Sequence, residues 1–110
     1  MTKVAMIDLD GVLNVYNGNF KETEIPPIKQ GAEEFLKELS KDFIIEIFTV
    51  RNKDITMQWF IKNNIHKYIS EITNKKNPCA SVFVDDRGIN FNGDFNSTLT
   101  QIREFKPYWK

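Results

Sequence analysis

The stretch Val4-Ala5-Met6-Ile7-Asp8-Leu9-Asp10-Gly11 decides how this chain folds. Its apolar run from Val4 to Leu9 leads into acidic residues and a glycine, which is typical of a buried parallel strand that ends in a tight turn. Side chains alternate along a strand that rises about 3.3 Å per residue, so Asp8 and Asp10 point the same way, about 6 to 7 Å apart. Gly11 allows the chain to turn away at once and lets a ligand approach the backbone closely.

Outward from this strand, apolar strands alternate with amphipathic helices. Ala32, Phe35, Leu36 and Leu39 fall at i, i+3, i+4 and i+7, the pattern of a helix packed on a sheet. Such alternation predicts one α/β domain over residues 1–110, a three-layer sandwich whose central parallel sheet is Rossmann-like and covered on both faces. The other expected elements are strands at Phe43–Val50, Tyr68–Ile72 and Ser81–Val84, a helix at Asp54–Asn63, and a last helix that begins at Asn96 or Ser97 and stops before Pro107.

The segment 14–27 between the first strand and the first helix is predicted to be a small flap. Asn17-Gly18, between Val15-Tyr16 and Phe20, is typical of a hairpin turn, and Pro26-Pro27 would close the segment. A cap domain needs about 50 residues, and neither gap between the predicted elements offers that length. We therefore expect no cap domain and an open site bordered by the flap.

Composition narrows the class of protein. Of the residues, 41% are hydrophobic, so the chain can bury a real core. Fifteen Lys plus Arg balance fifteen Asp plus Glu, so there is no net field to hold a long nucleic acid or an anionic membrane. The single Cys79 excludes an internal disulfide framework, and neither a secretory leader nor a membrane span is evident. These features favour a cytoplasmic protein.

Polar residues follow three of the predicted strands at their carboxyl ends. Open α/β sheets bind ligands outside those ends. Four carboxylates converging there would repel one another, and a hard divalent cation such as Mg²⁺ is the simplest remedy. The residues concerned are Asp8 and Asp10 after the first strand, Thr49 and Arg51 after the second, and Asp85, Asp86 and Arg87 after the last, with Lys75 and Lys76 in the loop before it.

These residue types suit phosphoryl transfer. One phosphoryl group would fit between Asp8 and Asp10, and a carboxylate whose phosphate target is masked by Mg²⁺ and a lysine can attack phosphorus as a nucleophile. Asp8 would be that nucleophile, while Asp10 would protonate the leaving oxygen and later activate water. Thr49 would hold phosphate oxygens, and Lys76 is favoured by position over Lys75 as the lysine. Arg51 and Arg87 either contact substrate or cap the carboxylates.

The motifs resemble the haloacid dehalogenase superfamily of phosphohydrolases, particularly its small members without a cap domain. Met6 to Leu13 resembles the first motif, which implies Asp8 as nucleophile, Asp10 as acid and base, and the Asp10 carbonyl as a metal ligand. Phe48-Thr49 fits the second motif. Val82 to Arg87 is similar to the fourth motif, which implies that Asp86 binds Mg²⁺ directly and Asp85 directly or through water. The third motif needs one lysine, and both Lys75 and Lys76 are available.

Other functions stay open at this stage. A nucleotide or polynucleotide-end phosphatase is the specific alternative to a general phosphomonoesterase, and an uncapped site would admit a bulky phosphorylated substrate. A receiver-like signalling module also uses acidic residues, Thr and Lys around Mg²⁺, although it carries its phosphorylated Asp on a middle strand. A catalytically idle phosphate-binding or interaction protein is the third class. Tyr108 and Trp109 either pack back on the sheet or mark a partner surface.

Overall fold

Four parallel strands form one sheet in the order β3-β2-β1-β4 in the computed structural model, which describes residues 3–108. β1 is therefore an inner strand, flanked by β2 and β4. The parallel α/β architecture predicted from the sequence is confirmed. The elements are β1 (Lys3–Asp8), α1 (Ala32–Leu39), β2 (Phe43–Phe48), α2 (Lys53–Lys62), a 3₁₀ turn (His66–Tyr68), β3 (Glu71–Thr73), β4 (Val82–Val84) and α3 (Phe95–Glu104).

The core lies on one face of the sheet. In parallel strands, residues that pair in register point to the same face, so Ala5 and Ile7 of β1 share a face with Ile45 and Ile47 of β2. α1 connects β1 to β2, and α2 connects β2 to β3, so both connections step in the same direction across the sheet. Because such connections are right-handed, both helices lie on that same face. Leu36 of α1 and residues of α2 accordingly join one buried cluster; its members from α2 are Trp59 and Phe60.

The opposite face is covered by the connection from β3 to β4. That connection crosses back over β2 and β1, so a right-handed path brings it to the other side of the sheet. Asn77 in this loop donates from Nδ2 to the Glu46 carboxylate at 3.3 Å. Coverage is partial, since Ile44 is 40% exposed and Phe83 is 45% exposed. The helix α3 contributes no buried residue. None of the helices within residues 3–108 has the length and apolar character needed to cross a membrane.

Several element boundaries differ from the sequence predictions for local reasons. α2 is capped by Asn52, whose side chain accepts from the Ile55 N–H, and α3 begins at Phe95 because Asp94 caps it. β3 starts only at Glu71, since His66–Tyr68 forms a 3₁₀ turn first. Trp109 lies outside the described residues.

The flap is a loop and not the hairpin expected at Asn17-Gly18. No strand forms over residues 15–27, and the segment is closed at its base by an antiparallel bridge between Asn14 and Ile28. The Val15 N–H donates to the Pro27 carbonyl at 3.0 Å. Pro26 and Pro27 lack backbone N–H donors, so the returning chain cannot complete a ladder.

Candidate functional site

The carboxyl ends of three strands meet at one edge of the sheet. Asp8 pairs in register with Phe48, the residue before Thr49, and Ile7 pairs with Val84, the residue before Asp85. Asp8, Thr49 and Asp85 therefore leave the sheet at nearly the same level. The rule for strand ends thus places these residues together, as the sequence suggested.

The turn after β1 packs tightly against Asp86. Gly11 has φ +87°, a left-handed conformation that costs other residues free energy, and a Cβ placed on it would lie 2.1 Å from Asp86 Oδ2. The Leu13 N–H donates to the Leu9 carbonyl at 3.0 Å and closes the turn. The close approach of Asp86 to this turn is why only glycine fits at position 11.

Asp10 is held by two partners. Arg51 Nε lies 3.0 Å from Asp10 Oδ2, and Arg51 Nη2 donates to Asp10 Oδ1 at 3.0 Å. Asn14 Nδ2 also donates to Oδ1 at 3.0 Å, while its own Oδ1 accepts from the Gly11 N–H at 3.1 Å. Asn14 was not among the site residues predicted from the sequence. An amide side chain four residues after Asp10, next to an apolar strand end, was the available signal.

Arg51 is an internal residue whose partners lie within the protein. Its side chain is fully buried and its Nη1 donates to the Lys21 carbonyl at 2.6 Å and to that of Glu22. Its guanidinium carbon lies 4.4 Å from the centre of the Phe20 ring. Of the two alternatives for Arg51, capping a carboxylate is the one that the geometry supports, and the arginine also ties the flap to the turn after β1.

The four acidic side chains have different surroundings. Asp10 is turned to Arg51, and Asp85 Oδ1 accepts from the backbone N–H of Arg87 at 3.0 Å within its own loop. Asp8 and Asp86, in contrast, both line the same two cavities. Within residues 3–108, no group of three or more His, Cys, Asp or Glu side chains is arranged to hold a metal ion. Asp8 and Asp86 are therefore the two carboxylates that both cavities share.

The surroundings of Asp8 disfavour its ionised form. Burial raises its pKa most, the carboxylates of Asp86, Asp10 and Asp85 raise it further, and a hydrogen bond from the Leu9 backbone acts in the opposite direction. The pKa of Asp8 rises from 3.8 to about 7 as a result. A cation beside Asp8 would restore its ionised form near neutral pH.

Two adjoining cavities share Asp8, Asp86 and Arg87. The first, of about 180 Å³, is lined by Lys76 together with Phe48, Phe83 and Asp85, and we call it the lysine cavity. The second, of about 300 Å³, is lined by Asp10, Tyr16, Phe20 and Val50, and we call it the aromatic cavity. Asp8 thus stands at the junction of the two.

The two lysines are placed differently. Lys76 Nζ lies 5.5 Å from the centre of the Phe83 ring and 5.8 Å from that of Phe48, which directs it over the lysine cavity. Both lysines are exposed, but Lys75 does not line that cavity; its backbone N–H donates to Thr73 Oγ1 at 3.1 Å. The placement agrees with the preference for Lys76. Thr49 is buried, and its hydroxyl oxygen accepts from the Arg51 N–H at 3.2 Å, which leaves the hydroxyl proton to donate.

Tyr108 packs back beside the site. Its hydroxyl donates to the carbonyl of Gly11 and accepts from Lys29 Nζ at 3.1 Å. The Lys29 ammonium also lies 4.2 Å from the centre of the Tyr108 ring. The sequence left open whether Tyr108 packs back on the sheet or marks a partner surface. In the structure Tyr108 lies against the turn that follows β1 and carries Asp10.

Comparisons of the chain with protein-family models, with curated proteins and with solved structures give no match. The geometry of the site is therefore what bears on function. Magnesium is commonly held by one or two carboxylates and keeps several waters for substrate phosphate to replace. The carboxylate pair Asp8 and Asp86, packed together at the turn after β1, fits that requirement in number and in donor chemistry.

Proposed function

We propose that this chain is a Mg²⁺-dependent phosphohydrolase that cleaves phosphate monoesters through an aspartyl-phosphate on Asp8. One observation carries the proposal: Asp8, at the end of an inner strand, lines a single cavity with Lys76 and Asp86, while a second carboxylate, Asp10, is held nearby. A nucleophile, a cation for phosphate and a separate acid and base are the parts that this reaction needs. The resemblance to capless haloacid dehalogenase phosphatases assigns the same residues.

In the first step, a carboxylate oxygen of Asp8 attacks phosphorus and the bond from phosphorus to the leaving oxygen breaks. Asp10 gives that oxygen a proton, so the alcohol leaves neutral. In the second step, Asp10 takes a proton from water, the water oxygen attacks phosphorus, and the bond to Asp8 breaks to release phosphate. Arg51 and Asn14 fix the orientation of Asp10 for both transfers.

The remaining residues stabilise the transferring group. Lys76 approaches from the lysine cavity, and Thr49 can donate its hydroxyl proton to a phosphate oxygen. Held by Asp8 and Asp86, Mg²⁺ would screen the phosphate charge so that an anionic carboxylate can approach it. Lys76 comes from the loop between β3 and β4, and Thr49 comes from the end of β2, so the two reach the phosphate from different segments.

Phosphate release from a panel of monoesters, with and without Mg²⁺, tests the proposal. We expect steady turnover by the wild type with Mg²⁺ and none by Asp8→Asn, because the amide keeps the size but loses the nucleophilic charge. Asp42→Asn, at an exposed carboxylate between α1 and β2, is the matched control and should turn over as the wild type does. Turnover by Asp8→Asn at the wild-type rate would overturn the mechanism.

The same assay separates the alternative classes. A receiver-like module would take up about one phosphoryl group on Asp8 without sustained release, and an idle binding protein would do neither. Asp10→Asn should permit phosphorylation of Asp8 but slow the release of phosphate, since the group that activates water is missing. Quantifying acid-stable and hydroxylamine-labile phosphate on each variant distinguishes these outcomes.

A further inference from the structure

The lining of the aromatic cavity combines acidic and apolar side chains. Asp8, Asp10 and Asp86 supply the carboxylates, and Tyr16, Phe20 and Val50 supply the apolar surface. Val50 is 76% exposed and Phe20 is 48% exposed, so apolar surface faces water at the mouth of the proposed catalytic site. Its volume of about 300 Å³ is at the lower end of small-molecule pockets.

The Phe20 ring is held in place from behind. The Arg51 guanidinium lies over one face of the ring, and that guanidinium is anchored on Asp10 and on the Lys21 carbonyl. A ring that is already stacked on a fixed guanidinium loses little further side-chain entropy when a ligand covers its exposed surface, so binding there costs less free energy. Phe20 is thus a preorganised platform at a site where a leaving group would emerge.

The charged residues that line the aromatic cavity limit which leaving groups can bind against Phe20. The chain has no net positive charge, and the one basic residue among the cavity walls is Arg87, as far as residues 3–108 are described. A polyanionic leaving group would gain little there, and a sugar alone would leave the apolar surface uncovered. A flat ring can cover it and stack on Phe20.

We propose that the aromatic cavity selects phosphate monoesters whose leaving group carries a planar aromatic ring, with Phe20 as the stacking residue. This inference rests on the proposed function and names its substrate class. The chemistry is unchanged: the bond from phosphorus to the leaving oxygen breaks, and that oxygen takes its proton from Asp10. Nucleoside monophosphates and aryl phosphates such as phosphotyrosine share the required chemistry.

The test compares pairs of substrates that differ only in the ring. A nucleoside 5′-monophosphate is paired with ribose 5-phosphate, and phenethyl phosphate with 2-cyclohexylethyl phosphate, so both members of each pair release a primary alcohol. We expect kcat/KM to favour the aromatic member by about tenfold or more, mostly through KM, as stacking of one base contributes in other proteins.

Variants locate the effect. Phe20→Leu keeps apolar bulk over Arg51 but removes the aromatic face, so the preference should fall to about one, whereas Phe20→Trp should retain it. Phe35→Leu, at a half-exposed aromatic on α1 outside the cavity, is the matched control and should keep the wild-type preference. Equal kcat/KM within each pair for the wild type, or a preference that survives in Phe20→Leu, would overturn the inference while leaving the phosphatase proposal intact.

Affinities for compounds that cannot be hydrolysed test the role of Phe20 independently of the proposed phosphatase activity. Phenylphosphonate and methylphosphonate cannot be hydrolysed, and their affinities for the wild-type protein with Mg²⁺ can be measured by calorimetry. Tighter binding of phenylphosphonate that is lost in Phe20→Leu supports the platform even if no monoester is turned over. Equal affinities would count against it, whatever the outcome of the phosphatase assay.

Discussion

Arg51 contacts both carboxylate oxygens of Asp10, at 3.0 to 3.2 Å, with its own side chain fully buried. The pair joins residues 41 positions apart in the chain and fixes the acid and base of the proposed reaction against the flap. A buried charge that loses its partner is left without compensation. The Arg51–Asp10 pair therefore contributes both to the stability of the fold and to the position of the proposed acid and base.

Breaking the pair should destabilise the protein strongly. Arg51→Met is expected to lower the free energy of unfolding by about 3 to 5 kcal/mol, because it leaves the Asp10 carboxylate without its partner. Arg51→Lys should also be costly, since an ammonium cannot reproduce the two-point contact. Urea unfolding of Arg51→Met, Asp10→Asn and the double variant measures the coupling. Additive losses would show that the two side chains do not act as a pair.

Stability without divalent cations should depend on pH through Asp8. Its pKa is about 7 in the folded protein against 3.8 ordinarily, so the folded state binds more protons between those values. The free energy of unfolding should therefore fall as pH rises from about 4 to 7 and level off above 7. Asp8→Asn should flatten this profile and melt higher than the wild type at pH 8. The profile of Asp42→Asn should match the wild type in this range.

Magnesium should stabilise the protein most where Asp8 is ionised. Protons and the cation compete for that carboxylate, so the rise in Tm caused by Mg²⁺ should be larger at pH 8 than at pH 5.5. Asp86→Asn should lose most of this rise. Asp85→Asn should keep it, because Asp85 is turned to the backbone of its own loop. Equal losses in the two variants would restore Asp85 as a direct ligand.

Gly11 should tolerate no side chain. Gly11→Ala combines a left-handed backbone with a Cβ 2.1 Å from Asp86 Oδ2. Gly31 has φ +92°, and a Cβ placed on it would meet no atom within 4 Å, so Gly31→Ala should show the backbone cost alone, about 1 to 2 kcal/mol. Thermal unfolding should show a larger loss for Gly11→Ala. Adding Asp86→Ala should recover part of the difference, and no recovery would mean that the clash is relieved elsewhere.

The sequence predicted those features of the fold and the site that follow from patterns among residues close together in the chain, and not those that depend on contacts between particular distant side chains. Helix α1 spans Ala32–Leu39, the range of its apolar spacing, and buries Ala32 and Leu36 of that pattern, because the pattern is local. The meeting of Asp8, Thr49 and Asp85 followed from the rule for strand ends. The role of Arg51 could not be predicted, because its ion pair with Asp10 and its contact with Phe20 depend on how the flap folds back. The hydrogen bond from the Arg87 N–H to Asp85 Oδ1 is likewise a loop conformation that residue spacing does not encode.

The strand order has a consequence for synthesis. Because β1 lies between β2 and β4, the first strand made is completed by the last one. A nascent chain that has not yet released Val82 from the ribosome exposes one edge of β1, and open strand edges recruit other chains. Asp86 is also missing at that stage, so the acidic pair cannot form. We expect the proposed catalytic centre to form only after β4 has emerged during translation, and translational pausing before β4 to favour aggregation.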